Sequence, residues 1–197
     1  MMKATINRIS IAGVFNKIVL IFSLVLIAGC VDNTNGSDND SQSSEKDSQS
    51  NEQKDVEWKE IELTDVKTKE KYMINDFSGS KVLIENFAVW CPTCKRQQQE
   101  IKKLKQKRSD FISIGLDTDP NEEPQQVLEH INSNGFDWHF SVSPSELTQS
   151  LIDNFGVNVV NAPLAPVILI CEDGSSKLLP NGVKSSDELE SQMEMCT

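Results

Sequence analysis

The chain has 197 residues, 38% of them hydrophobic and 25% charged, with a formal net charge of −11 at pH 7 and five cysteines. That length accommodates one domain plus appendages. The acidic balance argues against nucleic acid as a partner and for a well-solvated surface.

Residues 1–29 carry Lys3, Arg8 and Lys17 and no acid, followed by an almost unbroken apolar run from Ile18 to Ala28. The run is short for a membrane span and fits an export signal. Its end, Ile27-Ala28-Gly29-Cys30, resembles a lipoprotein processing box. By that resemblance Cys30 becomes the lipid-modified N-terminus; an uncleaved anchor or a plain signal peptide are the other readings. Each places the rest of the chain outside the cytoplasm, at or near the cell membrane, where protein disulfides persist. Residues 30–55, Cys30 apart, are built from Ser, Asp, Asn, Gln, Glu and Gly, the composition of a disordered, self-repelling tether. Asn35-Gly36-Ser37 and Asn39-Asp40-Ser41 match the glycosylation acceptor pattern, which a polar tether produces readily by chance.

The folded domain is expected over 56–197. Trp58, Ile61 and Leu63, then Tyr72 and Ile74, read as two short strands forming a hairpin across the charged Lys67–Lys71 turn. Val82 to Phe87 reads as a buried strand, and the stretch from Lys95 to about Lys107, free of Gly and Pro, as a helix. Between them lies Trp90-Cys91-Pro92-Thr93-Cys94. Two cysteines at this spacing on a strand-to-helix turn are placed to open and close a disulfide. The first thiol meets the unpaired N–H groups and positive dipole end of the helix, which favour the thiolate, the attacking form. Pro92 suits the first helical position. Cys91 is therefore the expected nucleophile, and Cys94, one turn in and more covered, the resolving thiol. Half a zinc site has the same spacing, but it requires a second pair or nearby His, and His130 and His139 are not so spaced.

Cys94, Gln97 or Gln98, Ile101 and Leu104 form a narrow inward stripe, with Lys95, Arg96, Lys102, Lys103, Lys105, Lys107 and Arg108 outside. That basic face reads either as ordinary solvated surface, or as charge that favours the Cys91 thiolate or greets an acidic partner. Phe111 to Leu116 is a second buried strand, ending in Asp117-Thr118-Asp119-Pro120. Helices are expected over 125–134 and 146–155, closed by Gly135 and Gly156, then a strand at 167–170, a turn at 172–175, a strand from Lys177 and a terminal helix from Ser186 to about Met195. This order predicts an α/β layered domain with a mixed sheet.

Over nearly all of residues 58–197 the chain resembles the TlpA/ResA-like branch of thioredoxin-fold proteins, which are membrane-attached, extracytoplasmic thiol–disulfide oxidoreductases. The resemblance rests on the N-terminal hairpin, Phe77 to Gly79, the Trp90–Cys94 motif, Asp117 to Asp119, and a proline directly before the strand that precedes Gly174. It implies a thioredoxin-like fold with an N-terminal β-hairpin extension. It also implies a cis-proline facing the motif, Pro166 or alternatively Pro163, and a client groove made by Trp90, Pro92, Thr93 and Ala165. Glu85, six positions before Cys91, stands where thioredoxin carries a buried acid. There it either relays a proton for Cys94 or simply reaches solvent. Two departures concern potential and client preference: Gln97 replaces an acid, and Ala88 and Val89 replace an aromatic.

The remaining thiols, Cys171 and Cys196, either form a structural disulfide contributing about 3–4 kcal/mol or stay as a buried inert thiol and a free one. The implied function is disulfide exchange with protein clients, as a reductant recharged by a membrane electron donor, by a lipid-anchored monomer needing no cofactor. The alternative is a copper or haem-pathway chaperone using both thiols as soft ligands. Peroxidase chemistry is excluded, because Ala88 and Cys91 stand where a Thr is required three residues before each cysteine.

Overall fold

The computed structural model describes residues 58–196. The expected export signal, Cys30, the glycosylation patterns and the expected tether lie outside the described residues.

Two short strands, β1 (Leu63–Thr64) and β2 (Lys71–Tyr72), form a separate antiparallel pair. The pair is shorter than expected at both ends. Trp58 lies in a helical turn, and Ile74 opens a 3-10 turn (Ile74–Phe77) that Asp76 caps by accepting the Met73 N–H. Asp65 ends β1, because its carboxylate accepts the N–H groups of Lys67 and Thr68 at 2.9 Å each and so bends the chain.

The main sheet has five strands in the order β5-β4-β3-β6-β7. β3 (Lys81–Phe87) and β4 (Phe111–Asp117) are parallel, as are β4 and β5 (His139–Val142), whereas β6 (Val167–Ile170) and β7 (Ser176–Leu178) run antiparallel. Connecting them are α1 (Pro92–Lys107), α2 (Pro124–Asn134), α3 (Ser145–Phe155) and the terminal α4 (Ser186–Glu194). β3 is buried along almost its whole length, which explains its near-continuous apolar sequence. Leu83 and Phe87 on one face join Ile101 and Leu104 of α1, Val127 and Ile131 of α2, and Leu189 and Met193 of α4. On the other face Val82 and Ile84 pack with Leu147 and Leu151 of α3 and with Trp58. The sheet is therefore a two-sided partition with a separate apolar cluster on each side.

Helix ends follow local chemistry. Ser185 and Glu188 form a reciprocal capping box on α4. Gly135 closes α2 at φ 62°, a left-handed cap that glycine adopts without strain. Of the basic face of α1, Lys102 donates to Asn134 O, Lys103 pairs with Glu100, Lys107 with Asp187, and Arg108 with Asp110 and Glu190. Those four side chains bond to this same chain.

β5 was not expected from sequence. Its Phe140 lies opposite Gly115 of β4, and a methyl added at Gly115 would stand 2.3 Å from Phe140 Cε1. Gly115→Ala should therefore lower unfolding stability by about 1–3 kcal/mol, the usual effect of overpacking, as read from urea midpoints. Cys171 and Cys196 are joined as a disulfide, with 5.2 Å between Cα atoms and 25 residues of separation. Replacing both by Ser should cost the oxidised protein about 3–4 kcal/mol in the chain-entropy account, measured the same way.

Candidate active site

β3 ends at Phe87 and, after three intervening residues, Cys91 caps the start of α1, so the motif sits at the carboxyl edge of a central strand. Cys91 is the N-cap residue of α1, extended at φ −84° and ψ 109°, with Pro92 at the first helical position. Cys91 and Cys94 are bonded to each other, with Cα atoms 5.3 Å apart.

The two sulfurs have opposite surroundings. Cys91 Sγ accepts the Cys94 backbone N–H at 3.1 Å, at the positive end of the helix. Cys94 Sγ lies 3.1 Å from the carbonyl oxygen of Ala162. Once the disulfide is reduced, the first environment favours a thiolate and the second a thiol that donates to the carbonyl. The expected difference in covering is not found: Cys91 is 1% exposed and Cys94 0%. Cys91 is packed into the same apolar cluster as Phe87, Ala88 and Ala162, so what separates the sulfurs is their polar contacts.

The groove beside them, about 410 Å³, is lined by Ala88, Trp90, the 118–121 turn and the 160–163 segment. Of the four expected groove residues, it includes Trp90, which is 60% exposed. Pro92 is exposed and Thr93 half-buried at the helix start, outside this lining, and Ala165 is buried. The proline assignment is corrected as well. No cis peptide bond occurs among the described residues, so both candidate prolines are trans. Ala165 turns the chain into β6 through a left-handed conformation (φ 47°). Pro166 is buried and accepts the Asn86 N–H at 3.1 Å, so β3 pairing consumes it. Of the two candidates, Pro163 is the one that is exposed and lines the groove.

A turn that sequence reasoning did not assign to the site holds the motif loop in place. Glu122 accepts the Val89 N–H at 2.7 Å, Asp119 accepts Trp90 Nε1–H at 2.7 Å, and Thr118 N–H donates to Phe87 O at 3.0 Å. The Trp90 bond holds the Asp119 carboxyl below its ordinary range. Asp117 at the base of the turn is pushed up to about 8, by burial first and then by the negative charges of Glu122 and Asp119. Its Oδ2 has no hydrogen-bond partner.

Glu85 is wholly buried on the face of β3 it shares with Leu83 and Phe87. Burial raises its proton affinity well above the ordinary carboxylate range, while the Gln98 amide and the Lys184 ammonium pull the other way. Gln98 favours the ionised form electrostatically without meeting hydrogen-bond geometry. Gln98 in turn bonds His130 Nε2 at 2.7 Å. The alternative in which Glu85 reaches solvent is thereby removed. Among the described residues no group of three His, Cys, Asp or Glu side chains is arranged to hold a metal ion.

A strand-to-helix dithiol on a central parallel pair, with an antiparallel edge and a helix on the far side, defines a thioredoxin-fold thiol–disulfide oxidoreductase. The chain belongs to the Redoxin family, whose pattern matches residues 52–194. It is 23% identical to the thioredoxin-like protein YneN of Bacillus subtilis over 128 residues, covering 64% of this chain and 71% of that one. In fold it is similar to a secreted Mycobacterium tuberculosis disulfide oxidoreductase homologous to Escherichia coli DsbE, with a TM-score of 0.58 at 12% identity, covering 71% of this chain and 98% of that one. A thiol:disulfide interchange protein of Chlorobium tepidum gives a TM-score of 0.56 at 18% identity, with 69% and 92% covered.

Asp117 has a sign that can be checked. Its folded-state proton affinity is raised above that of the unfolded chain, so the stability linked to its proton is present at acid pH and is lost as pH rises from about 4 towards about 8. Urea midpoints should therefore fall between pH 5 and pH 9, and fall less in Asp117→Asn, whose amide keeps an acceptor for Asp119 N–H.

Proposed function

We propose that this chain is an extracytoplasmic thiol–disulfide oxidoreductase that reduces protein clients through Cys91 and Cys94. The observation that carries the reading is the opposed pairing of the sulfurs, an N–H on Cys91 and a carbonyl on Cys94. In the reduced protein Cys91 thiolate attacks one sulfur of a client disulfide lying in the groove beside Trp90. A Cys91–client bond forms, and the second client sulfur leaves with the electron pair. Cys94 then gives up its proton, attacks Cys91 and releases the first client sulfur as thiolate. The pair ends oxidised and the client has gained two electrons. Glu85, the buried carboxyl on the same side of β3, is the group assigned to take the Cys94 proton.

Three features support this account. The Asp119 and Glu122 carboxylates, bonded to the motif loop, oppose thiolate charge on Cys91 and so disfavour the reduced form, the direction of a reductant. The export-type N-terminus, with Cys30 as lipid anchor and a polar tether behind it, supports a monomer held at the cell membrane facing outward, re-reduced by a membrane electron donor. The described Mycobacterium tuberculosis relative is itself a secreted protein.

The test is mixed-disulfide trapping. Cys94→Ser should accumulate a stable Cys91-linked adduct with a disulfide-bonded peptide, Cys91→Ser should form none, and both should lose over 99% of disulfide-reductase turnover, a loss of the size seen when a catalytic nucleophile is removed. An adduct formed through Cys94 in Cys91→Ser would reverse the roles.

A further inference from the structure

Lys184 reads in the sequence as one more surface lysine, but it is 6% exposed. It lies in the connection between β7 and α4, and its backbone is clamped on both sides by one side chain. Its N–H donates to Gln97 Oε1 at 2.7 Å and its carbonyl accepts from Gln97 Nε2 at 3.1 Å. Gln97 is one turn beyond Cys94 on α1. The Lys184 ammonium donates to Ala165 O at 2.5 Å and to Pro180 O at 3.3 Å. Ala165 leads into β6, whose Val167 is the register partner of Glu85. So the backbone of Lys184 is fastened to the helix that carries Cys94, and its buried ammonium to the turn before β6, the strand paired with the one that holds Glu85.

Burial lowers the Lys184 ammonium to about 8, so it is charged at neutral pH, and two acids pull the other way, Glu85 of β3 and Glu188 of α4. Glu188 is exposed, and its carboxylate is engaged by the Ser185 N–H and hydroxyl. Glu85 has no hydrogen-bond partner at either oxygen. Around it α1 presents Cys94 and the neutral Gln97 and Gln98, and α2 presents His130 behind Gln98, itself influenced by Lys95. Among the charged groups near Glu85, Lys184 is the one that favours the carboxylate. A buried ammonium bonded to two carbonyls is costly where a Met would pack at no such cost.

We infer that Lys184 is a positioning residue for the resolving step, a buried cation anchored between the Cys94 helix and the turn before β6 that faces the Glu85 carboxyl buried on the same side of β3. The inference rests on the reading of Glu85 as the acceptor of the Cys94 proton. In that step the proton passes from Cys94 Sγ to the Glu85 carboxylate, the Cys94–Cys91 bond forms, the Cys91–client bond breaks, and the client sulfur leaves with the electron pair. Before the transfer the charge on Glu85 faces Lys184; afterwards Glu85 is neutral. Without the cation, Glu85 holds its proton to higher pH and is a poorer acceptor at neutral pH.

The experiment uses the full chain. Single-turnover rates of mixed-disulfide resolution, with a cysteine-containing peptide on Cys91, are measured from pH 5 to pH 10 for wild type, Glu85→Gln, Lys184→Met, Lys184→Gln and Glu85→Gln/Lys184→Met. Absorbance at 240 nm follows the Cys91 thiolate separately. Lys184→Met should move the rising limb of the profile to higher pH by about one unit, a roughly tenfold loss below the midpoint, the lower end of what an opposite charge does to a carboxyl. Lys184→Gln, which keeps a donor for Ala165 O, should do the same. In the Glu85→Gln background the Lys184 change should add no shift. A wild-type profile in Lys184→Gln, or an equal shift with and without Glu85, overturns the inference while Glu85 keeps its role. An unaltered profile in Glu85→Gln overturns the reading of Glu85 and the inference with it.

Discussion

The sulfur of Cys91 performs two tasks with one lone pair. As the N-cap of α1 it accepts a helix N–H that would otherwise be unpaired, and as half of the disulfide it is the atom where exchange occurs. The geometry that satisfies the helix is thus the geometry that stabilises negative charge on sulfur. It depends on β3, which is bonded on one side to β4 and on the other to β6 and so delivers Cys91 to a fixed point. The short loop between is held through its backbone and its indole by the 117–122 turn. Exchange chemistry therefore sits on a strand end and a helix start, elements more rigid than a loop.

Under the disulfide the interior changes character along α1. Towards its C-terminus the inward face is Ile101 and Leu104, packed against Leu189 and Met193 of α4. Towards the motif it is Gln97 and Gln98, with Glu85, His130 and Lys184 buried around them. Each of these polar groups lowers stability relative to an aliphatic residue of similar size, and several lack full hydrogen bonding. They are concentrated around the motif half of α1, through Gln97 and Gln98, and absent from the aliphatic half. That distribution accounts for the narrow apolar stripe of α1.

Much of this was legible because it was local. The apolar run of β3, the motif, the Gly-free helix and the glycine caps each lie within a window of a few residues, and the structure reproduces them to within a residue or two. The features that escaped are long-range. β5 is four residues long and is defined by its partner, with Phe140 seated on Gly115. The Ala162 carbonyl is a backbone atom with no signature in the sequence, yet it faces Cys94. Lys184 and Glu122 resemble ordinary surface charges until the chain brings them 87 residues back to Gln97 and 33 residues back to Val89. The two candidate prolines, both trans, differ in their surroundings for a similar reason. Spacing along the chain favoured Pro166, but β3 pairing draws Pro166 inside and leaves Pro163 at the groove.

The central claim is that Cys91 and Cys94 form a reversible two-electron couple poised to reduce. The most direct measurement is the reduction potential of that pair by equilibration in dithiothreitol and glutathione buffers, with Cys171 and Cys196 replaced by Ser so that one couple is read. A single reversible couple near about −270 mV, the thioredoxin range, is the predicted result. A couple near about −120 mV would contradict the reductant assignment, and a pair that does not cycle at all would contradict the account of Cys91 as a redox cap.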